Sequence, residues 1–287
     1  MKAPFLYDLH VHTPFSDGQV DFDTMLGILT RLNVEFVGFA DHVFPGAMYV
    51  HSRTMPICPG LTNCFSESTL RRRKAVFRLL QRKHPRITIL HSGEVDTFPD
   101  GTLALPPGIT PDFFRDAGSY LMVAKHHTIP KQLNYIYKHR GAMMPTDPWA
   151  WRYSPRLRLN ALMWEKGVYA TFARYHPDVL AHPHETMPLY LPEHRVRRLL
   201  LSCKKHGVAY ELNYAEKPRT YLKEVFTWGE KYQTPFTIAS DFHGFGRKPF
   251  EDIFNEGLEI FELAERWNLN IVNPEKYLQD RSRRGNP

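Results

Sequence analysis

The sequence predicts an α/β fold in which parallel strands alternate with helices and close into a TIM-barrel-like (β/α)7 barrel. The chain has 287 residues, 43% of them apolar, which is enough to bury one large core. Short runs of strand periodicity alternate with stretches of helical periodicity, as in proteins built from β-α units. Histidines and carboxylates occur where the predicted strands end, and active sites lie at that face of such barrels.

Seven strands are predicted, at residues 5–12, 35–42, 87–96, 120–127, 179–184, 208–214 and 236–243. Helices are predicted at residues 21–32, 66–83, 156–174, 193–206, 221–232 and 250–268. Asp21 and Ser66 precede the first two helices and are suitable N-cap residues. We expect a single domain over residues 1–275, with long loops at 44–65 and 128–155, followed by a C-terminal tail over 276–287.

The formal charge of the chain is +7, and much of the excess lies in local runs such as Arg71-Arg72-Arg73-Lys74. We interpret these runs as solvated helix faces, although a basic protein also favours an anionic substrate. The sequence contains neither a long apolar run nor a signal-peptide layout, so we expect a soluble cytoplasmic protein without a membrane partner. The three cysteines, Cys58, Cys64 and Cys203, lack metal-type clustering and are interpreted as free thiols.

Candidate metal ligands recur at or near the ends of all seven predicted strands. The segments are Leu9-His10-Val11-His12 with Ser16-Asp17-Gly18, Asp41-His42, Glu94-Val95-Asp96, Lys125-His126-His127, His182-Pro183-His184, Glu211-Leu212-Asn213 and Asp241-Phe242-His243. Because the carboxyl ends of the strands converge in a closed parallel barrel, these side chains are expected to lie together. Imidazoles and carboxylates without thiolates suit Zn²⁺, Mn²⁺ or Fe²⁺. Nine well-placed candidates are too many for one ion and about right for two or three.

The motifs resemble, in order from residue 7 to about 245, those of the polymerase and histidinol phosphatase (PHP) superfamily, and Glu211-Leu212-Asn213 is similar to its histidinol-phosphatase-like branch. The resemblance implies a distorted (β/α)7 barrel that carries three divalent metal ions. It implies one ion held by His10, His12, Glu94 and Asp241, a second held by Glu94, His126 and His182, and a third held by Asp17, His42 and His243. His127 stays an alternative to His126, and His184 to His182.

The function implied by this resemblance is hydrolysis of a small phosphomonoester, with histidinol phosphate as the first candidate, through a metal-activated bridging water. Arg219 and Arg247 are candidates for a phosphate clamp, because a guanidinium can bind two phosphate oxygens. Asp41 is interpreted as a carboxylate that orients His42 or an adjacent ligand. His91 is interpreted as a hydrogen-bonded residue of the core or of the surroundings of the ligands.

Two other functions are compatible with the same ligands. The basic charge and the aromatic and basic residues of segment 128–155 favour a nuclease or nucleotide phosphatase with nucleic acid or nucleotides as substrates. A PHP module that binds metal without catalysis is the other alternative. Degenerate modules tend to lose ligands, and all nine are present here, which argues against this last interpretation. The sequence does not specify an oligomeric state.

Overall fold

The computed structural model describes residues 6–43, 66–124, 155–183, 193–213, 222–244 and 250–283. The strands are β1 (Tyr7–Val11), β2 (Phe36–Phe39), β3 (His42–Val43), β4 (Thr88–His91), β5 (Glu94–Asp96), β6 (Met122–Ala124), β7 (Val179–Leu180), β8 (Ala209–Asn213), β9 (Pro235–Ala239) and β10 (Asn270–Ile271). The α-helices are α1 (Phe22–Arg31), α2 (Glu67–Lys83), α3 (Pro155–Tyr175), α4 (Glu193–His206), α5 (Leu222–Tyr232), α6 (Phe250–Arg266) and α7 (Pro274–Arg283). A 3-10 helix covers Pro111–Phe114. The predicted loops at 44–65 and 128–155 lie outside the described residues, apart from residue 155, which begins α3.

Both predicted N-caps are confirmed. The side chain of Asp21 accepts a hydrogen bond from the backbone N–H of Thr24 at 2.9 Å. The hydroxyl of Ser66 accepts one from the backbone N–H of Thr69 at 3.2 Å. Each cap satisfies one of the backbone donors that the first turn of a helix leaves without a partner.

Every pair of strands within the two described sheets is parallel. A small sheet has the order β1-β2-β4, and a large sheet has the order β10-β9-β8-β7-β6-β5-β3. The predicted strands 35–42 and 87–96 are each divided, so that β2 and β4 belong to the small sheet while β3 and β5 belong to the large one. The prediction of a mixed α/β fold with parallel strands is confirmed, and closure into a seven-stranded barrel stays a prediction.

Both edges of the small sheet are hydrogen-bonded to segments next to the large sheet. At the β1 edge, the N–H of His12 donates to the carbonyl of Phe242 at 2.9 Å. At the β4 edge, the N–H of Tyr120 donates to the carbonyl of His91 at 3.1 Å. The hydroxyl of Tyr120 also donates to the carbonyl of Leu9, on β1. The small sheet is therefore tied to the rest of the fold on both sides.

The apolar core has two clusters. The larger one packs α3 to α6 against the large sheet and includes Trp164, Phe172, Leu200, Phe226 and Phe236. The smaller one packs α1 and α2 against the small sheet and includes Leu26, Leu29, Val37, Phe39 and Phe77. Burying a side chain of this kind contributes about 1.5–3 kcal/mol relative to leaving it in water. Together the clusters fix the strands whose ends carry the candidate ligands.

One prediction about charged segments needs correction, while the division into a domain and a C-terminal tail stays a prediction. Residues 276–283 of the predicted tail 276–287 belong to α7, and the hydroxyl of Tyr277 donates to the carbonyl of Asp178 at 2.9 Å. The basic run on α2 is not entirely solvated, because Arg73 lies on the buried face of the helix between Leu70 and Phe77. None of the described helices has the length and apolar composition needed to cross a membrane.

Candidate metal centre

Eight of the nine predicted ligands lie within the described residues, and all eight come together. They are His10, His12, Asp17, His42, Glu94, His182, Asp241 and His243. The ninth, His126, lies outside the described residues, as do the alternatives His127 and His184 and the proposed clamp residues Arg219 and Arg247. The choices between neighbouring histidines and the clamp therefore stay predictions.

The eight side chains form three overlapping groups. Within each group, the ligand atoms lie within 4.8 Å of one another. The Asp17 group contains His12, Asp17, His42 and His243; the Asp241 group contains His10, His182 and Asp241; the Glu94 group contains His10, His12 and Glu94. His10 and His12 each belong to two groups. The arrangement is thus one continuous cluster of imidazoles and carboxylates.

Glu94, the first residue of β5, connects the two sides of this cluster. One carboxylate oxygen, Oε2, lies 2.5 Å from Nδ1 of His42. The other, Oε1, lies 2.5 Å from Nε2 of His182. A carboxylate that offers one oxygen to each of two neighbouring sites has the geometry required of a bridging ligand.

His10 and His12 both turn their Nε2 atoms toward Asp241. The two Nε2 atoms are 3.2 Å apart, and they lie 3.3 and 2.9 Å from Oδ1 of Asp241. Two imidazole nitrogens and a carboxylate oxygen that converge on one point repel each other unless a proton or a cation lies between them. The donor set is the mixed nitrogen and oxygen set that suits Zn²⁺, Mn²⁺ or Fe²⁺, so these residues fit a divalent ion.

Glu211 contacts two residues of the cluster, although it was not among the ligands predicted from the sequence. It is fully buried on β8, and its Oε2 lies 3.0 Å from Nδ1 of His10. Its Oε1 accepts from the backbone N–H of His182 at 3.2 Å. A carboxylate on Nδ1 holds the proton there and leaves Nε2 of His10 free to bind a cation. The signal in the sequence is an acidic residue inside an apolar strand, between Tyr210 and Leu212.

Asp8 holds the backbone next to two candidate ligands, as Glu211 holds the ring of one. Its Oδ1 accepts from the N–H of His10 at 3.0 Å and from the N–H of Ser240 at 3.2 Å. It therefore ties β1 to the residue that precedes Asp241. The side chain is fully buried.

Asp17 lies in the loop between β1 and α1, close to three histidines. Its Oδ1 lies 3.1 Å from Nδ1 of His12, and its Oδ2 lies 3.3 and 3.5 Å from Nε2 of His42 and His243. The loop folds back on β1, because a Cβ at Gly18 would lie 2.5 Å from the carbonyl carbon of His12. Glycine at position 18 is therefore required for Asp17 to reach the cluster.

Asp41 lies outside the three groups, in agreement with its interpretation as an orienting carboxylate. Its Oδ1 accepts from the N–H of Thr13 and from the hydroxyl of Ser16, both at 2.6 Å. Ser16 Oγ is in turn 3.3 Å from Nδ1 of His12. Asp41 thus acts on the loop of Asp17 and on His12.

Carboxylates raise the pKa of two imidazoles of the cluster, whereas burial and His12 lower the pKa of His243. Burial lowers the pKa of His10, but Glu211 and Asp241 outweigh it and raise that pKa well above 6.5. Burial also lowers the pKa of His42, but the carboxylates of Asp17 and Glu94 outweigh burial and raise this pKa well above its usual value. The pKa of Asp17 is raised by burial and lowered more strongly by the imidazoles, so it lies below its usual range. The cluster therefore attracts cationic charge, whether protons or metal ions.

The backbone is strained where one of these carboxylates is attached. Asp241 follows β9 with a φ of 54°, in the left-handed region. Non-glycine residues seldom adopt this conformation, and such strain persists where the surrounding structure holds it. Here the conformation aims the carboxylate of Asp241 at His10 and His12.

Comparison with known proteins gives a match in structure alone. No family model and no curated protein matches the chain. Thirteen chains of solved structures do match. One of them is the crystal structure of the "putative histidinol phosphatase hisK from Listeria monocytogenes", with a TM-score of 0.52 and 16% sequence identity; the match covers 84% of this chain and 97% of that one. At this identity the likeness shows a similar fold.

Proposed function

We propose that this chain is a metal-dependent phosphoesterase of the PHP superfamily, in its histidinol-phosphatase-like branch, which hydrolyses a small phosphomonoester. The observation that carries the proposal is the position of Glu94. Its Oε2 lies 3.8 and 3.7 Å from Nε2 of His10 and His12, and its Oε1 lies 2.5 Å from Nε2 of His182. Sites with neighbouring divalent ions are typical of phosphatases, because the ions can act on both sides of a phosphate. The fold shared with a protein described as a histidinol phosphatase supports the same proposal.

The proposed fold is a distorted seven-stranded barrel, and the proposed cofactors are three divalent ions, Zn, Mn or Fe. The proposed ligand sets are His10, His12, Glu94 and Asp241 for one ion, Glu94, His126 and His182 for another, and Asp17, His42 and His243 for the third. The Asp17 group supports the third set, and the Glu94 group with the nearby Asp241 supports the first. His12 contacts Asp17 as well as Asp241, so it lies between the first and third sites.

The cluster suits the charge changes of phosphate ester hydrolysis. Divalent ions held there would supply a water of lowered pKa and would neutralise phosphate oxygens. The chain contributes rigid placement: Glu211 fixes the ring of His10, and Asp41 fixes the loop of Asp17. Arg219 and Arg247 are proposed to hold the phosphate, and the net charge of +7 favours approach of an anionic substrate.

The test is phosphate release by purified full-length protein loaded separately with Zn²⁺, Mn²⁺ or Fe²⁺. The substrate panel contains histidinol phosphate, sugar phosphates, nucleoside monophosphates and short RNA and DNA. We expect release from at least one small monoester, loss of activity with a chelator and recovery with metal. Asp241→Asn should lower kcat by at least about 100-fold. Asp252→Asn, the same exchange at an exposed position of α6, should leave it unchanged.

Failure of the metal-loaded protein to release phosphate from every monoester would refute the proposal. Release of nucleotides from RNA or DNA without monoester hydrolysis would favour the nuclease alternative. Activity that Asp241→Asn leaves intact would point to a contaminating phosphatase.

A further inference from the structure

Arg73 of α2 is a fully buried arginine whose guanidinium has four hydrogen-bond acceptors. Nε donates to Oδ2 of Asp41 at 2.5 Å, and Nη2 donates to the carbonyl of Phe39 at 2.7 Å. Nη1 donates to the carbonyl of Ser92 at 2.5 Å and to Nε2 of His91 at 3.1 Å. The planar fork of an arginine can hold several acceptors in fixed directions, which a lysine cannot do.

These acceptors lie at the two points where predicted strands are divided. Phe39 ends β2, and β3 begins three residues later with His42. Ser92 follows β4, and β5 begins two residues later with Glu94. Arg73 thus captures the backbone carbonyl three residues before one candidate ligand, His42, and two residues before another, Glu94.

The ion pair of Arg73 and Asp41 also reaches the loop after β1. Asp41 accepts from Thr13 and Ser16, and Ser16 precedes Asp17 in the sequence. The network therefore runs from α2 through Asp41 to the loop that carries Asp17. Every step in it is a hydrogen bond between buried groups.

The other side of the cluster has different supports. Glu211 contacts the ring of His10 and the backbone of His182. Asp8 contacts the backbone of His10 and of Ser240, which precedes Asp241. These two carboxylates lie on β8 and β1, whereas Arg73 lies on α2 and Asp41 between β2 and β3.

We propose that Arg73 and Asp41 are a positioning pair for the Asp17 group, and that Glu211 and Asp8 position the Asp241 group independently. The inference rests on the proposed metal binding, and it does not require that the substrate be a phosphomonoester. It divides one continuous cluster into two halves with separate supports. Loss of one support weakens metal binding most in its own half, and the other half changes less because the two are joined through Glu94, which contacts His182.

The test measures metal content and affinity of full-length variants by equilibrium dialysis and titration calorimetry with Zn²⁺. Arg73→Lys keeps the buried charge and removes the fork. We expect one class of sites to bind about 10- to 100-fold more weakly, as is typical when a partner of a ligand is lost, while the affinity of the other class falls much less. Glu211→Gln should weaken the other class. Arg72→Lys is the matched control on the exposed face of α2 and should change nothing.

A double-mutant cycle assigns each class to its half. If Arg73 acts on the Asp17 group, Arg73→Lys adds no further loss to Asp17→Asn, whereas its effect is additive with that of Glu211→Gln. Equal weakening of all sites by Arg73→Lys, or no change at any site, overturns the proposal.

Should Arg73→Lys fail to fold, as judged by near-UV circular dichroism, Ser16→Ala replaces it. This variant removes the hydroxyl that links Asp41 to His12 and keeps the ion pair. Weakening of the same single class supports the proposal, and unchanged affinity overturns it. Selective metal loss without monoester hydrolysis by the wild type would refute the proposed substrate class and leave the positioning pair intact.

Discussion

His91 differs from the histidines of the cluster because it faces cations. Its Nε2 accepts from Arg73, and its ring stacks on Phe114 with centroids 5.6 Å apart. The pKa of His91 lies well below 6.5. Burial is the largest cause, and the positive charges of Arg73, Lys74 and Arg78 lower this pKa further. His91 is therefore a neutral acceptor that completes the surroundings of Arg73, as its interpretation from sequence had indicated.

A neutral buried histidine makes stability depend on pH. Above pH 6.5 neither the folded nor the unfolded chain protonates His91. Between 6.5 and the lower pKa of the folded state, only the unfolded chain binds the proton. The free energy of unfolding therefore falls as the pH falls through this window, by up to about 1.4 kcal/mol per pH unit.

Urea unfolding of the wild type and of His91→Gln between pH 7 and pH 5 checks this expectation. The loss of stability on acidification should be smaller in the variant, and groups common to both proteins cancel in the difference. Parallel pH profiles would show that His91 is not the residue responsible.

Two residues show how far sequence reasoning reaches at this scale. Arg73 stands in a run of four basic residues, which suggested solvent, yet it shares a helix face with Leu70 and Phe77 at spacings of three and four. Glu211 stands inside an apolar strand. In both cases the position in the apolar pattern indicated burial. The partners, Asp41 and His10, are distant in sequence and could only be found in the folded chain.

The loop between β1 and α1 is the element that most directly controls Asp17. A Cβ at Gly18 would lie 2.5 Å from two backbone atoms of His12, whereas a Cβ at Gly27 of α1 would meet nothing within 4 Å. We expect Gly18→Ala to displace the loop and to weaken metal binding about 10- to 100-fold. Gly27→Ala should leave metal binding unchanged and stabilise the protein by about 0.5–1 kcal/mol.

Metal titration and urea unfolding of the two alanine variants separate these effects. Equal metal affinity in Gly18→Ala and Gly27→Ala would show that the close approach to His12 does not hold Asp17 in place.

The positions of the strands could be predicted from the sequence, but the breaks within two of them could not. Residues 35–42 and 87–96 have continuous strand patterns, but Arg73 captures the carbonyls of Phe39 and Ser92. Gly93 adds a second cause at one interruption, since a Cβ there would meet Phe114 at 2.8 Å. Both causes are tertiary contacts. The short β10 and the helix α7 were missed for a similar reason, because contacts such as that of Tyr277 with Asp178 define them.

For the molecule as a whole, bound metal should contribute to stability. A ligand that binds only the folded chain raises the free energy of unfolding, by about 2.7 kcal/mol for each site at a free concentration 100 times Kd. We expect Zn²⁺ to raise the urea midpoint and a chelator to lower it. The shift should be smaller in Asp241→Asn, which lacks one candidate ligand. Identical midpoints with metal and with chelator would contradict the assignment of the cluster as a metal centre.

The α/β fold was predicted from the alternation of strand and helix periodicity. The meeting of eight distant ligands was expected because each lies at or near the carboxyl end of a predicted parallel strand. This placement does not fix which ion lies between which ligands, since His10 and His12 each belong to two groups. Substrate identity and cytoplasmic location stay predictions, because they depend on residues and conditions outside the cluster.

The cluster draws on positions from His10 to His243 in a chain of 287 residues. A ribosome releases the amino end first, so His10 and His12 leave it long before Asp241 and His243. Until His243 has emerged, the earlier ligands have only some of their eventual neighbours, and the cluster is not complete. Full occupancy of the proposed sites therefore requires that the segment of His10 and His12 has already met the segment of Asp241 and His243.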